Sequence, residues 1–115
     1  MNIADSVAVV TGATGGIGLA ISEKLVALNI RGIAIVDVSD QCEVVSRLLN
    51  ESAGRQVACA FQGDVTDPEF RKSVFSTMES EVGLVQICIP AAGILRDSMA
   101  VKIKKPPRRQ KRLSD

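Results

Sequence analysis

The residues best suited to chemistry come early. Thr11-Gly12-Ala13-Thr14-Gly15-Gly16-Ile17-Gly18 packs four glycines into a short stretch without charge. An apolar run precedes it and a helical pattern follows, and that context makes the glycines informative where spacing alone would be weak. Such a loop can hold a diphosphate. Gly12 permits a sharp turn off a strand. Gly16 has no Cβ to keep a phosphate oxygen from the backbone, and Gly18 lets a helix pack closely on a sheet. The free N–H groups and the positive dipole end of the helix then face the anion. A nucleoside-triphosphate loop would end in Gly-Lys-Ser/Thr, and none is present.

Asp37 is the second candidate. It closes an apolar run 19 residues beyond Gly18. In a doubly wound sheet that position sets a carboxylate beside a ribose, where it accepts from both hydroxyls and repels a 2′-phosphate. Val38 and Ser39 follow without positive charge, so NAD is favoured over NADP. The competing reading has Asp37 simply ending a strand in solvent. Asp64, in Gly63-Asp64-Val65, could accept from an adenine amino group, or it is a polar turn residue. Pro90-Ala91-Ala92-Gly93 follows a fourth apolar run, at the sheet edge where ligands bind. Its small residues allow close backbone approach to a cofactor, and an ordinary turn is the alternative.

The elements that must position these residues alternate. Residues 6–10 form a short β-branched run that predicts a buried strand. Ile17, Ala20, Ile21, Leu25 and Leu28 recur at helical steps, and Asn29 to Gly32 close that helix. Residues 32–38 predict a second strand. Ser39 or Asp40 would cap a helix over 41–53 with Val44, Val45, Leu48 and Leu49 inward, and Gly54 would end it. Residues 56–61 predict a third strand. Asp67-Pro68-Glu69 is a compact helix start, with Phe70, Val74, Phe75 and Met78 spaced to about Val82. Residues 84–89 predict a fourth strand, with 90–93 as the loop behind it. Strands alternating with helices imply right-handed crossovers. The fold class is therefore α/β, a Rossmann-type doubly wound parallel sheet, incomplete at about four strands.

Composition agrees. There is no Trp, Tyr or His, so the core must be aliphatic, as suits strands covered on both faces. The net charge of +1 hides an asymmetry. Residues 1–101 hold seven basic and twelve acidic side chains, whereas 102–115 hold seven basic and one acidic. The chain thus divides into a nucleotide-binding half-domain over 1–101 and a basic tail over 102–115, whose double proline and charge predict disorder. Lys102, Lys104, Lys105, Arg108, Arg109, Lys111 and Arg112 could neutralise phosphates, but no aromatic residue interleaves them for base stacking. Nucleic acid is therefore disfavoured as a partner. Cys42, Cys59 and Cys88 fit no zinc spacing, and Cys59 and Cys88 read as small core residues. No metal site is expected. No apolar run nears the roughly 20 residues that span a bilayer, and a reducing cytoplasm is the expected location.

Taken together, TGATGGIG at 11–18, Asp37, Asp64-Val65 and Pro90-Ala91-Ala92-Gly93 resemble the short-chain dehydrogenase/reductase family over roughly residues 5–101. The resemblance implies that Thr11, Gly12, Thr14, Gly15, Gly16, Ile17 and Gly18 hold the cofactor diphosphate. It also implies that Asp37 and Val38 meet the ribose, Asp64 and Val65 the adenine ring, and Ala91, Ala92 and Gly93 the cofactor behind the fourth strand. Two departures stand out. Pro90 replaces the Asn usual in that motif. The family's catalytic Ser and Tyr-x-x-x-Lys are missing, no catalytic residue can be assigned, and Tyr is absent altogether. The chain thus reads as a truncated member, the dinucleotide-binding portion of an NAD(P)-dependent oxidoreductase, with little or no activity alone and an unknown substrate. A non-catalytic nucleotide-binding or regulatory module whose basic tail touches nucleic acid is the alternative. With no fifth strand, the fourth would expose an apolar edge, and self-association through it is expected.

Overall fold

The structure, a computed structural model, describes residues 2–91. After a turn of 3-10 helix at Ile3–Asp5, the order is β1 Val7–Thr11, α1 Gly16–Ala27, β2 Gly32–Asp37, α2 Cys42–Ala53, β3 Ala58–Gln62, α3 Pro68–Glu81 and β4 Ile87–Pro90. The four strands form one parallel sheet in the order β3-β2-β1-β4. From β1, β2 and then β3 step outward in one direction, and β4 returns to its other side. The order therefore reverses between β1 and β4, the switch point at which doubly wound sheets open a crevice for ligands.

The central strands read as unbroken apolar runs because both their faces are buried. Ala8, Val10, Ile33 and Ile35 face a layer built from Leu25 and Val26 of α1 and Val45 and Leu49 of α2. Val7, Val9, Ala34 and Val36 face the opposite way, towards Val74 and Met78 of α3. Asp67 caps α3 by accepting from the amide of Glu69, and Pro68 occupies its first turn, as the sequence predicts. Asn29 takes a left-handed φ of 65° after α1, which its short polar side chain tolerates.

Four expectations need correction. The buried stripe of α2 is Cys42, Val45, Ser46 and Leu49, whereas Leu48 is 57% exposed and Val44 only half-buried. Neither Ser39 nor Asp40 caps that helix. Gln41 takes the cap position without a side-chain bond, and the Ser39 hydroxyl oxygen accepts from the Gln41 amide one turn early. The fourth strand is shorter and later than predicted. Leu84 is 72% exposed, and Pro90 is the last strand residue, opposite Thr11, rather than the start of a loop. A strand end tolerates the missing N–H.

The cysteines form the fourth correction. Cys59, Ala34, Val9 and Cys88 line up as one row across the sheet. Ala34 and Val9 in the middle are buried, while Cys59 at one edge is half-buried and Cys88 at the other is exposed. Among the described residues, α3 covers the centre of that face and leaves its margins less buried.

Candidate dinucleotide-binding site

The carboxyl ends of β1, β2 and β4 meet at the switch point. Thr11 pairs with Val36 on one side and Pro90 on the other. At Gly12 the chain leaves β1 with φ 66°, a conformation open to glycine at no steric cost. The Ala13 amide then donates to the Val36 carbonyl at 3.2 Å, tying the loop to the end of β2. Ala13 and Ala91 are both buried in the same core cluster.

Helix α1 begins at Gly16, with Gly15 extended at its cap and no side chain bonded to its N-terminus. The first α-helical bond runs from the Leu19 amide to the Gly15 carbonyl at 2.9 Å. The amides of Gly16, Ile17 and Gly18 therefore have no partner in the helix. Open space surrounds the Cβ positions of Gly15 and Gly16, and Ile17 is 39% exposed beside them. Three amides without helical partners thus stand at the positive end of a 12-residue helix, reachable across two bare glycines, an arrangement that attracts anions. Gly18 works differently from its expected role. A Cβ there would strike the Gly12 carbonyl and the Ala13 Cα, so this glycine lets α1 close on its own loop rather than on the sheet.

Asp37 ends β2 and faces that loop. Its Oδ2 accepts the Thr14 amide at 3.1 Å and the Thr14 hydroxyl at 2.8 Å, and its Oδ1 accepts the Ser39 amide at 3.2 Å. Burial pushes this carboxyl up. The Thr14 hydroxyl and amide, with the amides of Ser39 and Val38, outweigh burial and hold it below its ordinary value. The group is anionic at neutral pH. Beneath it, the Cys42 sulfur lies 3.6 Å from the Asp37 carbonyl oxygen and 3.7 Å from that of Phe61, so its one S–H is shared between the ends of β2 and β3. Burial and the nearby Asp37 charge raise that thiol, so it remains a neutral donor. Sequence reasoning finds neither the Thr14–Asp37 pair nor the Cys42 bridge. No spacing rule flags them, because each joins residues on separate elements.

The other candidates are placed less closely. Val38 is 68% exposed next to Asp37, and its carbonyl accepts from the Gln62 side chain. The Gly63 amide donates to the Asp37 carbonyl, which brings Asp64 to the same sheet edge. The Asp64 carboxylate is turned onto its own loop, accepting from the Thr66 amide and hydroxyl at 2.9 and 2.7 Å. Those bonds hold it below its ordinary pKa. Val65 packs inward with the α3 cluster. Ala92, Gly93 and the basic segment 102–115 lie outside the described residues. Among the described residues, no helix is long and apolar enough to cross a membrane.

Comparison with known proteins falls on the same segments. The sequence profile described as short chain dehydrogenase matches residues 6–110. The 3-oxoacyl-acyl-carrier-protein reductase FabG of Vibrio harveyi is 34% identical over 104 residues, 90% of this chain and 41% of that protein. The mouse 3-oxoacyl-acyl-carrier-protein reductase is 34% identical over 100 residues, 87% of this chain and 40% of that protein. Among solved structures, the L-sorbose reductase of Gluconobacter frateurii, complexed with NADPH and L-sorbose, superposes with a TM-score of 0.65 at 32% identity. It covers 76% of this chain and 34% of its own. The chain thus spans about two-fifths of the length of the curated relatives it matches.

Proposed function

The chain belongs to the short-chain dehydrogenase family, and from that premise we propose that it is the dinucleotide-binding portion of an oxidoreductase whose cofactor is NAD. The diphosphate sits on the free amides of Gly16, Ile17 and Gly18, reached across Gly15 and Gly16 from the turn at Thr11 and Gly12. Asp37 receives the adenosine ribose, with Thr14 and Val38 beside it. Asp64 and Val65 flank the adenine, and the Ala91-Ala92-Gly93 stretch contributes further cofactor contacts.

One observation carries this reading: an anionic carboxylate stands beside an uncapped helix N-terminus at the switch point of the sheet. The helix end attracts the diphosphate, and the carboxylate selects for a ribose with free hydroxyls and against a 2′-phosphate. The sorbose reductase is complexed with NADPH, so the choice of cofactor is the part that needs direct measurement. Titrating the purified chain with NADH and NADPH, and following nicotinamide fluorescence, tests it. Saturable binding with NADH the tighter ligand is the expected result. No response to either at millimolar concentration would overturn the assignment.

Reduction of a substrate requires a proton donor as well as a hydride. The chain contains neither Tyr nor His, the usual neutral-pH donors, and we propose that these 115 residues alone turn over little or no substrate. The outer edge of β4, which pairs only with β1 among the described strands, is proposed to self-associate.

A further inference from the structure

We propose that Asp37 and Thr14 act as one specificity element, in which the carboxylate accepts the hydrogen bond of the Thr14 hydroxyl and so occupies a donor that a 2′-phosphate would otherwise use. This rests on the dinucleotide reading above and adds to it a second residue and a reason for the choice of cofactor.

A threonine hydroxyl has one proton to give and two lone pairs to offer. In most surroundings it adapts and serves a phosphate as donor or a sugar hydroxyl as acceptor. Here Thr14 has no such choice. Its Oγ1 lies 2.8 Å from Asp37 Oδ2, and an ionised carboxylate can only accept. The Thr14 proton is therefore committed to Asp37, and its backbone amide is spent on the same oxygen at 3.1 Å. The Thr14 lone pairs are left over, and a free acceptor position remains on Oδ1 beside the Ser39 amide. Both unspent groups are acceptors.

A ribose 2′-hydroxyl, which can donate, finds partners on both side chains. A 2′-phosphate carries only acceptor oxygens and negative charge, and it finds from this pair one repelling carboxylate and no donor. The carboxylate thus acts twice, directly by charge and indirectly by fixing the polarity of its neighbour. Charge repulsion alone would leave Thr14 a bystander; in the linked arrangement the two residues cannot be altered independently.

The test is a double-mutant cycle on the full chain, reading NADH and NADPH affinity by nicotinamide fluorescence in wild type, Asp37→Ala, Thr14→Val and the double variant. Asp37→Ala should raise NADPH affinity, since the repulsion goes and the Thr14 proton is released to the phosphate. The gain should be about tenfold smaller when Thr14 is already Val, the worth of one hydrogen bond to a charged group. Thr14→Val alone should weaken NADH several-fold and leave NADPH unchanged, a comparison that does not depend on Asp37→Ala folding. Thr14→Ser should behave as wild type.

Equal NADPH gains in both backgrounds, or a Thr14→Ser variant that matches Thr14→Val, would overturn the linkage while leaving the dinucleotide assignment intact. A wild-type chain that binds neither nucleotide would overturn both.

Discussion

Gly18 on α1 stands directly against the carbonyl of Gly12, so the first turn of the helix is seated on the loop that feeds it. The neighbour is backbone and cannot rotate away. Gly18→Ala should therefore destabilise the chain by about 1–3 kcal/mol through overpacking. Because relief of the clash must displace the free amides of α1, NADH affinity should also fall at least about tenfold. Chemical denaturation and fluorescence titration of the same variant check the two effects. A variant with wild-type stability would show that the loop is not held so tightly.

The carboxylate at the end of β2 also gives stability a pH dependence. Its folded pKa lies below the ordinary value of 3.8. The stabilisation it supplies is thus complete above that ordinary value and is lost as pH falls through the folded one. The difference in unfolding free energy between wild type and Asp37→Asn should be constant above about pH 5 and shrink steadily in more acid solution. The Thr14 amide proton, followed by NMR, should titrate with the same midpoint in wild type and not in the variant. A flat Thr14 resonance would remove the hydrogen bond on which both expectations stand.

Asn50, near the end of α2, pins that helix to the start of β3. Its Oδ1 accepts the amides of Val57 and Ala58, both at 2.7 Å, and its Nδ2 donates to the Ala58 carbonyl at 3.3 Å. Val57 and Ala58 are buried, so truncation strands two amides away from water. Asn50→Ala should lower stability by about 2–6 kcal/mol, at about 1–3 kcal/mol for each of the two orphaned amides. Equilibrium urea unfolding measures it, and a loss below about 0.5 kcal/mol would mean that water replaces the side chain.

The three thiols should separate by reactivity. Cys88 is exposed, Cys59 half-buried and Cys42 buried. Burial raises the Cys59 thiol, with Glu81 adding to it, and burial with the Asp37 charge raises Cys42. Since the thiolate is the reactive species, alkylation of the native chain should modify Cys88 first, Cys59 slowly and Cys42 only on unfolding. Peptide mass spectrometry across a time course gives the order. Early modification of Cys42 would contradict its placement under the crevice.

Much of this architecture is legible in the residues themselves. The runs at β1 and β2 announce buried strands because both faces of the central sheet are covered. Asp67-Pro68-Glu69 announces α3 because its signals are local. The inner face of α2 is harder to see. Its stripe includes Cys42 and Ser46, small or polar residues that no hydrophobic pattern selects, so attention shifts to Leu48 on the wet side. The ends of β4 and the exposure of Cys88 depend on where helical cover stops, which is a property of the assembled layers. At the site, the glycines and Asp37 stand out through type and spacing. The bonds from Thr14 to Asp37 and from Cys42 to two carbonyls do not, since they arise only once β1, β2, α2 and β3 lie side by side.

The return of the chain to the far side of β1 has a dynamic corollary. Ala8 pairs with Ile33, 25 residues on, but also with Ile87, 79 residues on. The more distant partner closes the larger loop and carries the greater entropic burden. It is also the shorter strand, anchored on one side by two half-buried isoleucines. One wall of the crevice is thus the segment most prone to transient detachment. Amide hydrogen exchange should be fastest there among the four strands, and a nucleotide bridging β1 and β4 should slow it more than at β2.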